Sequence, residues 1–176
     1  MTLRSRVLEI LHKADISYAL IGAGALSVHG VTRSTSDVDF LVLDPSCLQL
    51  DFWKALESHG VSIDVRKGDL TDPLAGVVRF KLPGEDDVDV VVGKFKWQRK
   101  ILDRAPLRTT PQGKLPVVRA ADLILLKLFA GGPQDAWDVL GLLGKEDRNE
   151  LIAEVEKLLP ELPSDVAKFW RKILEG

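Results

Sequence analysis

Two carboxylates two residues apart, Asp37 and Asp39, open the run Asp37-Val38-Asp39-Phe40-Leu41-Val42-Leu43. Alternation followed by unbroken apolar residues predicts a strand with one exposed end. On a strand the two acids leave the same face about 7 Å apart, with Val38 and Phe40 on the other. Such a pair repels itself and favours a shared hard cation, Mg²⁺ or Mn²⁺, although solvated charges at a strand end fit the same pattern. A second acidic run, Asp86-Asp87-Val88-Asp89-Val90, enters another apolar strand and offers Asp89 in the same alternation. Upstream, Gly22-Ala23-Gly24 breaks an apolar stretch and opens a short helix. The first backbone N–H groups of a helix lack intrahelical partners and face any anion placed there, while a tight turn alone would also use these glycines. Three carboxylates on neighbouring strands beside a phosphate-binding turn are the parts that metal-assisted phosphoryl or nucleotidyl transfer needs.

The elements that must position these residues follow from periodicity. Leu3, Val7, Ile10 and Leu11 predict an amphipathic helix over 2–14, Tyr18 to Ile21 a strand, and Ala25 to His29 a helix stopped by Gly30. Residues 47–59 present Leu48, Phe52, Ala55 and Leu56 on one face and predict a helix ending at Gly60. Val61 to Val65, Val77 to Leu82 and Val88 to Val92 predict three more strands, making five. From Arg119 the pattern is helical, broken near Gly131-Gly132-Pro133, Gly144 and Pro160 to Pro163. The expected plan is a mixed α/β sheet domain over 1–118 with a helical tail, 119–176, docked on it.

The order of these motifs resembles a known family. Leu20-Ile21-Gly22-Ala23, then Asp37-Val38-Asp39, then Val88-Asp89-Val90 is similar to the glycine turn, paired acids and late single acid of the DNA polymerase beta nucleotidyltransferase superfamily. Ala25, His29-Gly30, Arg33 and Thr35 before Asp37, and Asp122-Leu123 with Lys127, Asp135 and Asp138, resemble minimal bacterial nucleotidyltransferases, including the AbiEii-type toxins. The likeness spans about residues 17 to 142. One position departs: the second turn residue, Gly or Ser in the superfamily, is Ala23, so no hydroxyl is offered there. The resemblance implies a nucleotidyltransferase-like mixed sheet flanked by helices, and transfer of NMP from a nucleoside triphosphate to a hydroxyl on RNA, a protein or a small molecule. It implies Asp37, Asp39 and Asp89 as catalytic and Mg²⁺- or Mn²⁺-binding residues, Asp89 being the proton acceptor. Gly22, Ala23, Gly24, Arg33 and Lys127 would meet the nucleotide phosphates, and a toxin-like member would have a cognate antitoxin protein. The rival expectation, for which Ala23 is the argument, is a catalytically silent relative that binds nucleotide or a partner.

Other signals read two ways. Lys127 interrupts the apolar stretch Leu123 to Ala130 and either reaches phosphate or Asp135, or snorkels to the helix edge. Arg33 is a phosphate contact or a surface arginine. His29 is expected to cap or pack. Residues 94–119 carry Lys94, Lys96, Arg99, Lys100, Arg104, Arg108, Lys114 and Arg119 against Asp103, with Trp97 among them. That tract fits either an RNA-guiding surface with a stacking aromatic or a solvated helix and hairpin with the aromatic inward. Trp137 and Trp170 sit in apolar helical patterns and are expected in the core.

Composition limits the classes. The chain has 176 residues, 45% hydrophobic and 28% charged, enough for one domain that buries about 70% of its unfolded surface. A net charge of -2 gives no global field toward nucleic acid. Cys47 is the only cysteine, excluding an internal disulfide or a cysteine-built zinc site, and is expected to pack as a small apolar residue. No signal-peptide core and no membrane-length apolar run occur, so a cytoplasmic protein is expected.

Overall fold

The computed structural model describes residues 1–176. Thr2 caps the first helix by accepting from the Ser5 amide, and α1 (Leu3–Lys13) turns Leu3, Val7 and Leu11 fully inward. β1 (Ala19–Ile21) runs directly into α2 (Gly22–Val28). β2 (Val38–Val42), β3 (Ser62–Lys67), β4 (Gly76–Lys81) and β5 (Val88–Val92) complete a five-stranded sheet in the order β1-β2-β5-β4-β3. β2 and β5 are parallel and the other neighbours antiparallel. β5 and the second half of β2 read as apolar runs because most of their residues are buried, the acids Asp39 and Asp89 standing near their starts. The edge strand β3 instead alternates and carries Asp64, Arg66 and Lys67 into solvent, a charge pattern that discourages pairing with another chain.

Between β2 and β3 the predicted helix is two 3-10 segments, Pro45–Leu48 and Leu50–His59, separated by Gln49 in extended backbone. The Trp53 indole N–H donates to the Cys47 carbonyl across that break, and both side chains are buried. Burial pushes the Cys47 thiol up to about 12, so it stays protonated and unreactive.

After β5, α3 (Lys96–Asp103) and a hairpin of β6 (Leu107–Thr110) and β7 (Gly113–Pro116) lead to four helices, α4 (Ala120–Ala130), α5 (Pro133–Leu143), α6 (Arg148–Leu158) and α7 (Ser164–Glu175). Gly131, at φ +71°, ends α4 in the left-handed region that glycine tolerates. Buried side chains from α1 through α7 form one continuous apolar cluster, so the last helices share the core of the sheet. No helix is long and apolar enough to cross a membrane.

Two aromatic expectations divide. Trp170 is buried, whereas Trp137 is 70% exposed. At 100° per residue Trp137 lies about 160° round α5 from Val139, whose face with Leu142 and Leu143 packs inward. Its place in an apolar stretch put it in the expected core; its angle on the helix takes it out.

Candidate functional site

Parallel pairing of β2 with β5 sets Asp39 directly opposite Asp89, and antiparallel pairing of β5 with β4 sets Asp89 opposite Arg79. Three charged residues therefore stand in one row across the sheet. Asp37 lies just before β2, its amide donating to the Thr35 hydroxyl at 3.2 Å. Phe40, on the opposite face, is wholly buried and pins the strand's orientation.

The glycine turn and the acid pair are built against each other. Gly22 has φ +62°, and a Cβ there would lie 2.2 Å from Asp39 Oδ2. A side chain at position 22 would strain the backbone and displace the carboxylate. Gly22 and Ala23 line a cavity of about 340 Å³ together with Arg33, Thr35, Asp37, Asp39, Lys127 and Asp135. Gly24 is not part of that lining; a Cβ there would lie 3.0 Å from the Leu20 side chain, so its small size serves helix-to-strand packing.

The cations have partners. Lys127 Nζ lies 3.1 Å from Asp135 and 2.8 Å from Asp138, and Arg33 donates to Asp138 at 2.9 Å. Asp138 is buried and holds both basic groups at the cavity wall. Asp135 also accepts from the Gly132 amide at 3.0 Å, capping α5 while it holds Lys127. His29 packs between segments, with Nε2 2.8 Å from the Val118 carbonyl.

Asp89 is differently placed from Asp37 and Asp39. Arg79 donates to both its oxygens, at 2.8 and 2.6 Å, a bidentate pair that holds the guanidinium charged. Asp39 has no such partner: burial and the neighbouring Asp89 and Asp37 charges push it up to about 6, with Lys127 and Arg79 opposing. An acid whose charge is resisted by two neighbouring acids is suited to a divalent cation, and Asp37 and Asp39 supply the hard oxygens one prefers. No cluster of three His, Cys, Asp or Glu side chains is arranged around one point, because the Asp89 oxygens are turned to Arg79.

The cationic tract proves to be the helix and hairpin of the second reading. Trp97 is buried against Phe95 and Phe129, so it offers no face for a base. Arg104 and Arg119 converge on the buried carboxylate of Asp122, and Lys100 pairs with Glu161.

Sequence reasoning missed Arg79, the far half of the cavity and Gln98. That half is apolar, formed by Leu41, Val91, Leu123, Leu126 and Phe129 under Pro73 and Leu74 of the β3–β4 loop. Gln98, fully buried, also lines it. The available signal was the glutamine between Trp97 and Ile101 on a buried helix face, where a polar side chain needs a stated partner.

No family model matches the sequence, and no curated protein matches it either. Solved structures do. The solution structure of the antibiotic-resistance factor ANT(2'')-Ia superposes with a TM-score of 0.57 at 12% identity, covering 99% of this chain and 96% of that one. A crystal structure of ANT(2'')-Ia in complex with adenylyl-2''-tobramycin gives 0.52 at 11% identity, over 89% of this chain and 94% of that one. An antigenic nucleotidyltransferase-like protein from Paracoccidioides brasiliensis gives 0.47 at 19%, over 94% and 89%. Sheet order, flanking helices and this likeness lead to one conclusion about architecture: the chain has a nucleotidyltransferase fold.

Proposed function

We propose that the protein transfers a nucleoside monophosphate from a nucleoside triphosphate to an acceptor hydroxyl. The observation that carries this reading is the single cavity in which Asp37, Asp39, the Gly22-Ala23 turn, Arg33 and Lys127 converge, with Gly22 shaped by the Asp39 carboxylate. A divalent cation, Mg²⁺ or Mn²⁺, held by Asp37 and Asp39 would supply charge neutralisation at the α-phosphate and the leaving pyrophosphate. The turn amides, Arg33 and Lys127 hold the triphosphate and fix its α-phosphorus for in-line attack. The acceptor oxygen forms a bond to that phosphorus as the bond to pyrophosphate breaks, and the hydroxyl proton passes to Asp89. Arg79, 40% exposed, has to release one Asp89 oxygen before that proton can be taken.

The division into a 1–118 catalytic domain and a 119–176 helical tail belongs to this reading, the tail bringing Lys127 to the phosphates. So do a cytoplasmic setting, an acceptor on RNA, a protein or a small molecule, and, on the AbiEii-type model, a cognate antitoxin partner. The closed Arg79–Asp89 pair, with Ala23, favours the second reading, a silent nucleotide binder. Incubation with each α-labelled nucleoside triphosphate, Mg²⁺ or Mn²⁺, and total RNA or protein tests the first. Label transferred to an acceptor supports it; nucleotide binding without transfer replaces it with the second.

A further inference from the structure

Gln98 is the one cavity-lining side chain with a fully buried polar atom that has no hydrogen-bond partner. Its Oε1 accepts from the amides of Lys94 and Phe95 at 2.8 and 2.9 Å, which fixes the orientation of the amide group. Nε2 is then a donor, and it is buried with no hydrogen-bond partner. The side chains that line the apolar end of the cavity with Gln98, Leu41, Val91, Leu123, Leu126 and Phe129, carry no acceptor. A buried unpaired donor is rare enough in folded proteins to require a partner that arrives from outside.

Size and charge narrow that partner. The cavity of about 340 Å³ stands at the low end of small-ligand pockets, the size class of a single small ligand. Phosphates belong at the charged end, beside Asp37, Asp39, Arg33 and Lys127, and whatever is joined to them must fill the apolar end. No charged side chain lines that end, so it suits a flat, neutral group. Leu41 and Val91 lie two residues beyond Asp39 and Asp89 on β2 and β5, about 7 Å along the strands, a separation that a ribose spans.

We propose that the apolar recess is the nucleobase subsite and that Gln98 Nε2 reads the base by donating to a carbonyl oxygen or ring nitrogen on its edge. The proposal rests on the nucleotide-transfer reading of the same cavity. Gln98 is a specificity residue here: it selects an acceptor atom over an amino group at one position of the base.

The test measures dissociation constants on the full chain with Mn²⁺ for inorganic triphosphate, ribose 5'-triphosphate and the four nucleoside triphosphates. Wild type should bind the best nucleotide at least tenfold more tightly than ribose triphosphate, with a several-fold spread among the four. In Gln98→Glu one carboxylate oxygen still accepts from the two amides while the other presents an acceptor, so the spread should collapse with triphosphate affinity unchanged. Ala130→Phe, at the cavity rim where the backbone cap is untouched, should remove the advantage of base over ribose even if Gln98→Glu does not fold. Equal affinity of ribose triphosphate and nucleotides in wild type overturns the proposal while leaving the triphosphate site standing. A spread that survives Gln98→Glu overturns the role given to Gln98. Failure of every triphosphate to bind overturns the nucleotide reading itself, and this proposal with it.

Discussion

Two carboxylates, the buried Asp122 in the helical region and the half-buried Asp39 in the sheet, have opposite fates. Asp122 is fully enclosed and receives N–H donors from Arg104 and Arg119, which tie α3 to the start of α4. Asp39 faces two acids and is held against ionisation. A buried charge that is answered within the fold serves the fold; one left unanswered is prepared for something that comes later. Asp89 stands between them, answered by an arginine that is itself partly in solvent.

The contrast breaks most sharply at the acid pair. Asp37→Asn with Asp39→Asn should lower label transfer by at least ~10³-fold, with loss of the thermal stabilisation by nucleotide and Mn²⁺ and retention of the native circular dichroism spectrum. A lost spectrum would put Asp39 in the same structural class as Asp122. Asp122→Ala removes the shared acceptor of two partly exposed arginines, Arg119 keeping Glu154, and should cost about 1–3 kcal/mol in urea unfolding, with nucleotide affinity of the folded fraction unchanged. Asp89→Asn should keep most nucleotide-plus-metal stabilisation and reduce transfer by ~10²-fold or more; equal transfer in wild type and variant would remove Asp89 from catalysis.

A smaller effect is the pH dependence that Asp39 confers. Its pKa is raised above the unfolded value, so the proton binds preferentially to the folded state. The stability it contributes is full below about pH 4 and is lost as pH rises through about 6. Urea titrations of the metal-free protein should show this decline, and Asp39→Asn should abolish it. Mn²⁺ affinity should rise over the same interval as the carboxylate ionises. Least affected of all should be the response to neutralising Lys96, Arg99 and Lys100: stability within about 0.5 kcal/mol of wild type and an unchanged salt slope for any RNA binding. A slope reduced by about one unit per lost phosphate contact would restore the tract as an RNA surface.

What the sequence made legible was local. β5 is visible at Val88–Val92 because four valines around the single Asp89 make the β-branched run of a largely buried strand, and the helix ends at Ala130 and Leu143 follow from glycines at 131 and 144. Convergence was not local. Nothing in Gly76-Val77-Val78-Arg79-Phe80-Lys81 says that Arg79 faces Asp89, because that depends on a strand register ten residues apart in the chain. Trp97 shares a helix face with Ile101 and turns inward, as the second reading of the cationic tract had it; the count of nearby basic residues alone left the two readings open. The orphaned donor of Gln98 is visible only once every neighbour is in place.

The double duty of Asp135 has an optical consequence. It caps α5 through one oxygen and holds Lys127 through the other, so a phosphate that draws Lys127 away alters the first turn of a helix. Trp137 stands two residues along that turn, and of the four indoles it alone is exposed, Trp53, Trp97 and Trp170 being enclosed. Its emission should be the long-wavelength component and the one that iodide can quench. The protein therefore carries an intrinsic fluorophore beside its candidate phosphate site, and a change in iodide quenching on adding triphosphate reports occupancy without label, turnover or an identified acceptor.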